Sequence, residues 1–431
     1  MSNFFPRGFG TVQQSVIDKG PVTFGQLSLW RSIAELPAVA CNLPQVWSLP
    51  PGTTAESVER ALETLERRHE SLRTRYQETA EHGLVQLVWA AAPASLGVVE
   101  AEAERVAEEL AATPFDLAAD RPWRARLVTS SGEPSRLVVC FHHIAVDAWA
   151  INQLQQEFQD LLAGRPVSAD PPNCRELAAE QWSEARQSRR RSARKHWQQV
   201  FEAAPDMERD PAPEAVTSRW ARCGSEAAAT AAHRTAERLK VSVPSVLLSA
   251  FCVALSRQTG RRRLLVAVYT NNRSDPRWEN LVAAQNQIIP LLVTVDPDEE
   301  FDTFVGRVHW ETLRSYKHGS HNVDDVLEIG RKFGYTGTVN GSFDGSVSGF
   351  FRYFFNYLGE YQKDQAPTRQ DMETGTAGRN IGAPLYLQVQ DGEALTCTLR
   401  ENSSTTGFDG VTELLLDLQD VIVSAADEKS A

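Results

Sequence analysis

The stretch CFHHIAVDAWA, residues 140–150, decides how the first half of the chain is interpreted. Before it, residues 136–141 form an apolar and partly β-branched run, which predicts a buried strand. After Asp147, apolar residues recur at helical spacing as far as Gly164, and Asp147 stands at the N-cap position. A strand therefore passes into a helix across a short segment that carries two histidines and an acid.

The two histidines, His142 and His143, cannot both face one cavity from within a strand, because neighbouring strand side chains point to opposite faces. We therefore expect one of them to be structural. A neutral imidazole accepts a proton near neutral pH, as a general base must. The alternative is a satisfied core histidine beside a helix-capping aspartate, but the histidine pair followed by Asp147 favours an active site. A Cys140 nucleophile is disfavoured because this residue shares a strand face with His142, and zinc is disfavoured because no further ligand cluster has suitable spacing.

The segment HHIAVD resembles the HHxxxDG motif of the condensation domains of nonribosomal peptide synthetases, in the superfamily that includes chloramphenicol acetyltransferase. Further motifs follow in order, so the resemblance covers nearly the whole chain. Residues 21–30 are similar to the first family motif, residues 68–74 (RHESLRT) match the second, and residues 349–360 match the late FNYLG strand. The departures from the family pattern are Ser28 for Arg, Ala148, Asn272 and Ala283 for Gly, and Gln287 for Asn.

The resemblance implies an α/β fold of two chloramphenicol acetyltransferase-like sandwich lobes arranged as a V with a central tunnel. Donor and acceptor would enter this tunnel from opposite faces on pantetheine arms. We expect residues 1–172 to form the N-terminal lobe with HHxxxD and residues 173–431 the C-terminal lobe. Residues 165–173, which are rich in proline and polar side chains, are the expected hinge.

The resemblance also divides the site residues by role. His143 corresponds to the catalytic residue, acting as a base or orienting the attacking group, while His142 and Asp147 are structural. Asp147 is expected to pair with an arginine, with Arg273 as the first choice and Arg73 as the second. The residues expected along the substrate channel are Trp149, Gln287, Asn356 and Tyr357. No metal site is expected.

Ala148 is the sharpest departure, because glycine serves either a positive φ angle or a close backbone approach to substrate. If only a helix N-terminal N–H is needed for the oxyanion, alanine retains it and activity survives. If the methyl group narrows the channel, the site accepts a slimmer acyl group or is inactive. The polar second motif, which contains Arg73, is expected to be a structural cluster whose charges find internal partners.

Composition limits the class of protein. The chain has 431 residues, 42% of them hydrophobic, and a net charge of -12, which argues against a dedicated nucleic-acid surface. The six cysteines are scattered without CxxC spacing, as in a reduced cytoplasmic protein. No secretory segment and no bilayer-spanning apolar run is recognised, so neither a membrane nor nucleic acid is an expected partner.

Together these features predict a free-standing condensation enzyme of natural-product biosynthesis. It would move an acyl or aminoacyl group from a carrier-protein thioester to an amine or alcohol acceptor. A thioester is already activated, so no bound cofactor is needed; the phosphopantetheine arm of the carrier, or coenzyme A, delivers the substrate. The alternatives are a catalytically silent domain that recruits carrier proteins or tailoring enzymes, and an acyltransferase that uses coenzyme A directly. The basic run in residues 186–195 is expected to be a solvated face, with contact to phosphate or to an acidic carrier protein as the lesser alternative.

Several further elements are predicted from periodicity and turn residues. Helices are expected over residues 225–239 and 244–258, with Pro244 in a first turn and Gly260 as a stop. Strand 264–270, a hairpin of 385–390 with 395–399, and a closing helix over 411–423 follow. Residues 1–20 are expected to be irregular, and residues 206–215 to be a loop.

Overall fold

The fold is mixed α/β, as expected, and was obtained as a computed structural model. The structure describes residues 15–33, 37–81, 83–93, 96–167, 170–204, 218–333, 350–359, 372–377, 383–402 and 410–427. The predicted loop at 206–215 lies outside them.

The strands are β1 (Val16–Pro21), β2 (Asn42–Ser48), β3 (Thr74–Thr79), β4 (Gly83–Trp89), β5 (Gly97–Glu100), β6 (Trp123–Ser130), β7 (Glu133–His142), β8 (Ser218–Ser225), β9 (Arg263–Thr270), β10 (Gln287–Thr294), β11 (Tyr353–Tyr357), β12 (Glu373–Ala377), β13 (Leu385–Gln390) and β14 (Leu395–Asn402). The α-helices are α1 (Phe24–Ile33), α2 (Ala55–Arg68), α3 (Ala103–Ala111), α4 (Ala148–Leu162), α5 (Cys174–Trp182), α6 (Gln187–Ala203), α7 (Glu226–Leu239), α8 (Val243–Thr259), α9 (Phe301–Tyr316), α10 (Val323–Lys332) and α11 (Val411–Asp427).

The chain divides into two compact units that are each discontinuous in sequence. The first takes its described residues from 1–23, 41–180 and 276–284, and the second from 24–40, 181–275 and 285–431. This differs from the predicted division after residue 172. Helix α1 belongs to the second unit because Arg31 pairs with Asp324 of α10 at 2.8 Å and Phe24 packs edge-on against Trp182 at 5.2 Å. Such contacts are remote in sequence and leave no local pattern.

The first unit contains a four-stranded sheet in the order β2-β7-β6-β5 and a three-stranded sheet in the order β1-β4-β3. Helices α2 and α4 cover the larger sheet, where the Trp47 ring lies 6.0 Å from Phe141 and 5.3 Å from Phe158. The expectation that residues 1–20 are irregular is wrong for β1, which pairs antiparallel with β4. Its side chains are almost all exposed, so it carries no apolar alternation.

The segment of residues 276–284 follows β9 in sequence and precedes β10, yet it belongs to the first unit. There Trp278, Leu281 and Ala283 bury their side chains together with Cys174 and Leu177 of α5. Apolar burial of this kind is the main stabilising contribution available to a short segment whose regular structure is one 3-10 turn, Pro276–Trp278.

The second unit is built on a seven-stranded sheet in the order β10-β9-β11-β13-β14-β8-β12. The predicted elements are confirmed here, including the helix that is α7 and the strand that is β9. Helix α8 has Pro244 in its first turn and ends at Gly260, whose φ of 67° suits glycine. Strands β13 and β14 form the predicted hairpin, and α11 closes the chain against a core that β8 and the hairpin also line.

All six cysteines are buried, and none of them forms a disulfide bond. Among the described residues no single helix has the length and hydropathy of a membrane span; only α7 and α8 together, bent by 111°, reach those values.

Candidate active site

The segment between β7 and α4 has the predicted strand-to-helix geometry. Strand β7 ends at His142, which lies opposite Asn42 of β2, and His143 begins the turn that follows. Helix α4 begins at Ala148, and its N-cap Asp147 accepts a hydrogen bond from the Ala150 N–H at 3.0 Å. Only His142 is therefore subject to strand alternation, and the side chain of His143 need not point to the face opposite that of His142.

The hydrogen bonds of His143 determine which ring nitrogen carries the proton. Its backbone N–H donates to the Cys41 carbonyl at 2.8 Å, which fixes the start of the turn. Its Nδ1 lies 2.7 Å from the Val146 carbonyl oxygen, and a carbonyl can only accept. Nδ1–H is therefore the donor, and Nε2 of the neutral ring keeps its lone pair. The side chain is half-buried, so this arrangement suits a general base.

His142 has a different environment. Its side chain is buried, its Nδ1 accepts a hydrogen bond from the Ile144 N–H at 3.2 Å, and its ring meets Phe115 edge-on at 5.8 Å. Burial, and then the neighbouring charges of His143 and Arg124, lower its pKa to about 3. A neutral, buried imidazole of this kind can hold the turn in place through the hydrogen bond it accepts from the Ile144 N–H. That the role of His142 is structural stays a prediction.

The arginine partners proposed for Asp147 lie in different units. Arg73, the second choice, donates through Nε to the Glu66 carbonyl at 3.2 Å and through Nη1 to the Trp89 carbonyl at 2.7 Å, so its guanidinium serves the backbone around the second motif. Arg273, in the second unit, donates through Nη1 to the Asn271 carbonyl at 3.2 Å. The Asp147–Arg273 pair stays a prediction.

The charges of the second motif have internal partners, as expected. Glu157 of α4 lies 3.1 Å from Arg68 Nε and 2.9 Å from His69 Nε2. Burial alone would raise the Glu157 pKa, but hydrogen bonds from His69, Gln153 and Arg68, together with the charge of His69, outweigh it and hold the pKa at about 2. This ion-paired cluster joins the end of α2 to α4.

A second ion pair of this motif involves Glu70, which receives two hydrogen bonds from Arg175 of α5, at 2.8 and 3.0 Å. The α-helix ends at Arg68 rather than running through the motif, since residues Glu70–Arg73 form a 3-10 turn.

Ala148 occupies the first position of α4 and has no positive φ angle. Of the two reasons for a glycine, conformational freedom is therefore excluded, and only the size of the methyl group remains open. The first N–H groups of a helix have no intrahelical acceptor, so the start of α4 can offer N–H donors. The Trp149 side chain is partly exposed, and its indole N–H donates to the Glu279 carbonyl at 3.1 Å.

The other residues predicted for the channel belong to the second unit. Gln287 is buried, and its side-chain amide bonds both the carbonyl and the N–H of His321, at 2.8 and 3.2 Å. It supports the chain before α10, and its place along the substrate channel stays a prediction. Asn356 and Tyr357 are half-buried; the Asn356 amide donates to the Tyr386 hydroxyl at 2.7 Å, and the Tyr357 hydroxyl donates to Asp391 at 2.6 Å. Their place along a channel stays a prediction.

Asn272 shows how one departure from the family pattern is accommodated. It has a φ of 53°, a left-handed conformation that asparagine tolerates better than most residues. Its side-chain amide donates to the Gln285 carbonyl at 2.8 Å and to the Gly319 carbonyl at 3.2 Å. Asparagine therefore replaces glycine here while adding contacts that glycine could not make.

In the part of the chain that the structure describes, no group of three or more His, Cys, Asp or Glu side chains could hold a metal ion. The feature that sequence reasoning missed is the Val146 carbonyl, because a backbone acceptor leaves no mark on residue identity. Glu157 was also missed, although an acid in the middle of an otherwise apolar helix face is a recognisable signal.

Solved structures that match the chain define its fold class. The condensation domain that mediates chain release from the enacyloxin polyketide synthase aligns with a TM-score of 0.75 at 22% identity, covering 99% of this chain and 86% of that one. The condensation domain of the monacolin K polyketide synthase MokA aligns with a TM-score of 0.78 at 17% identity, covering 96% and 98%. The fold class is thus the chloramphenicol acetyltransferase-like α/β fold that was predicted.

Sequence comparison then gives the family. Residues 20–375 match the condensation domain family, and the chain belongs to it. Chondramide synthase cmdD of Chondromyces crocatus is 28% identical over 332 residues, which cover 72% of this chain and 8% of that protein. The chain therefore matches only a small part of the length of that synthase.

Proposed function

We propose that this chain catalyses condensation, transferring an acyl or aminoacyl group from the phosphopantetheine thioester of a carrier protein to an amine or alcohol. Membership of the condensation domain family supports acyl transfer in general. The observation that carries the proposal is the Nδ1–H···O bond from His143 to Val146, because it leaves Nε2 as the basic atom of a half-buried ring.

The chemistry follows from that lone pair. The acceptor nitrogen or oxygen attacks the thioester carbonyl carbon while its proton passes to Nε2 of His143. A new C–N or C–O bond forms, and the carbonyl oxygen gains negative charge that the N–H groups at the start of α4 stabilise. The C–S bond then breaks, the carbonyl re-forms, and the departing thiolate takes the proton from His143. The reaction requires no oxidant, no metal and no covalent acyl-enzyme intermediate.

The test uses a phosphopantetheinylated carrier protein loaded with an acyl or aminoacyl group and mixed with candidate amines and alcohols. Mass spectrometry of the product is compared between wild type and His143→Ala. Positioned general bases contribute about 10²- to 10⁴-fold, so the variant should lose a factor in this range while its thermal unfolding is unchanged. His233→Gln, which replaces an exposed histidine of α7 and keeps a hydrogen-bond donor for Asp391, is the matched control and should keep full activity.

Three results would contradict the proposal. Equal rates for wild type and His143→Ala would remove His143 from the reaction. Release of free coenzyme A from an acyl-coenzyme A donor, with no turnover of the carrier thioester, would identify a coenzyme A-dependent acyltransferase. A wild type that binds the loaded carrier and forms no product would be a silent recruiting domain.

A further inference from the structure

Helix α9 of the second unit carries an apolar stripe on the side that faces solvent. Its buried face consists of Phe304, Val305, Val308, Thr312 and Ser315. Residues 306, 310, 313 and 317 follow one another at spacings of four, three and four, which places them on a single line opposite that buried face. This outer line reads Gly306, Trp310, Leu313 and Lys317, and is called the α9 stripe.

The exposure of the α9 stripe is unusual for a soluble surface. Trp310 exposes 62% of its area and Leu313 exposes 38%, while the neighbouring Tyr316 exposes 37%. These are three of the eight large hydrophobic side chains that are exposed in the described residues, and all three lie within two turns of one helix. Scattered exposed side chains need no explanation, but a clustered set marks an interaction surface.

Gly306 gives the stripe its shape. A Cβ atom built there would have no atom within 4 Å, so packing inside the protein does not require a glycine at this position. Glycine within a helix costs about 1 kcal/mol relative to alanine. On the outer face it leaves a notch one turn before Trp310, which allows another helix to approach the backbone closely.

Cations border the stripe. Lys317 ends it, and helix α6 lies beside the end of α9, since His196 of α6 stacks on His318 at 4.6 Å. The exposed basic side chains of α6 are Arg189, Arg191 and Lys195. Among the described residues none of these three has an acidic partner, unlike Arg194, which binds Asp325 and Glu328 of α10.

The charge of this region points to the partner. The chain carries a net charge of -12, so an exposed group of unpaired cations is a local exception. A symmetric dimer through this region would place its cations against the same cations of a second copy, whereas an acidic segment of another protein would meet opposite charge at contact distance. An apolar centre that contains a tryptophan and has a charged rim is also the common arrangement of a protein interface.

We propose that the α9 stripe and the outer cations of α6 dock an acidic helix of the carrier protein that delivers the thioester. This inference rests on the proposed function for the identity of the partner. The notch at Gly306 and the ring of Trp310 receive an apolar residue of that helix, and its acidic flank faces Lys317, Arg191 and Lys195. Contact between the basic run and an acidic carrier protein is the lesser alternative expected from the sequence. The proposed docking surface adds α9, whose Trp310 is the apolar anchor of that contact.

The experiment measures binding of a phosphopantetheinylated carrier protein with negative net charge by isothermal titration calorimetry. Trp310→Ala should raise Kd about tenfold or more, as for a central aromatic anchor. The double reversal Arg191→Glu with Lys195→Glu should weaken binding strongly at low salt and less at high salt. Arg234→Glu makes the same kind of charge change at an exposed position of α7 in the same unit and should leave Kd within about twofold.

Turnover separates docking from chemistry. The kcat/KM for the carrier thioester should fall with Trp310→Ala by the same factor as the affinity, while that for the same acyl group on pantetheine alone should be unchanged. If wild type binds the carrier through Trp310 and forms no product, the docking proposal stands and the proposed function fails.

Three results would overturn the docking proposal. One is an unchanged Kd in both the Trp310→Ala variant and the charge-reversed variant. Another is an equal loss on the carrier thioester and the pantetheine thioester, which would indicate a folding defect. The third is a wild-type dimer in analytical ultracentrifugation that Trp310→Ala dissociates without any effect on carrier binding.

Discussion

The carboxylate of Asp147 accepts a hydrogen bond from the Ala150 N–H at 3.0 Å, so the acid of the histidine motif is first of all the N-cap of α4. Removing a cap of this kind lowers the free energy of unfolding by about 1 kcal/mol. We therefore expect Asp147→Ala to be less stable and less soluble than His143→Ala. Urea unfolding of the two variants checks the order, and the reverse order would show that Asp147 acts mainly in the reaction.

The predicted ion pair between Asp147 and Arg273 can be measured separately. Asp147→Asn retains a side-chain oxygen for the cap and removes the charge, so it isolates the electrostatic part. A double-mutant cycle of Asp147→Asn with Arg273→Ala should give a coupling energy of about 1 kcal/mol or more if the two side chains interact. Additive effects would mean that Asp147 has another cationic partner.

Ala148 should leave the site active. Because its φ angle is already that of a helix, Ala148→Gly relieves no backbone strain and should lower the free energy of unfolding by up to about 1 kcal/mol. With a small acyl donor we expect kcat to stay within about threefold of wild type, since the N–H donor is retained. A large gain that appears only with bulky acyl groups would instead identify the methyl group as a limit on substrate size.

Replacing Asn272 should separate conformation from hydrogen bonding. Asn272→Gly keeps the φ of 53° and loses the bonds to Gln285 and Gly319, at a cost of about 1 kcal/mol. Asn272→Ala loses the same bonds and must also adopt a left-handed conformation, which costs about 1–2 kcal/mol more. Thermal unfolding should rank wild type above glycine and glycine above alanine. Equal stability of the glycine and alanine variants would contradict the conformational argument.

Acid should destabilise the protein through buried neutral histidines. Burial is the largest cause that lowers the pKa of His142 to about 3 and those of His196 and His321 to about 4, from an ordinary value of 6.5. Between these values the unfolded chain binds protons that the folded chain does not, so stability rises with pH across this window. As pH falls below 6.5, the free energy of unfolding should therefore fall by a few kcal/mol in total.

The measurement is urea unfolding at several pH values between about 7.5 and 4.5. Glu157, with its pKa held at about 2, adds a loss of the same sign only below its ordinary value of 4.5. His196→Asn removes one of the titrating groups without touching the histidine turn and should flatten the pH dependence. A stability that is constant from neutral pH to 5 would contradict the assignment of these histidines as neutral in the fold.

The parts of the fold that the sequence predicts are those with a local cause. Helix α8 carries Pro244 and Gly260 at its ends, and the β13–β14 hairpin shows alternation on both sides of a turn. Strand β1 could not be predicted in this way, because pairing with β4 stabilises its backbone while its side chains remain exposed. The discontinuous units were missed for a related reason, since ion pairs such as Arg31–Asp324 join residues far apart in sequence.

At the site, residue types predict the chemistry better than they predict the contacts of each side chain. The positions of His142 at a strand end and Asp147 at a helix start follow from periodicity. The protonated nitrogen of His143 does not, because it depends on the Val146 carbonyl. Arg73 is the second expected partner of Asp147, but its guanidinium donates to two backbone carbonyls. Every residue has a backbone carbonyl, so residue types cannot show which one accepts a bond.

The segment of residues 276–284 leaves the seven-stranded sheet after β9, contributes to the core of the first unit, and returns to form β10, which pairs with β9 along its full length. The two ends of this segment are therefore fixed by the pairing of β9 with β10 in the second unit, while its own residues belong to the first unit. A fragment cut after residue 172 would lack this piece as well as α5, so neither part of the chain can be expected to fold independently. Heat and denaturant should therefore unfold both units in one cooperative transition, and circular permutation or truncation should be designed around five crossings of the chain rather than one linker.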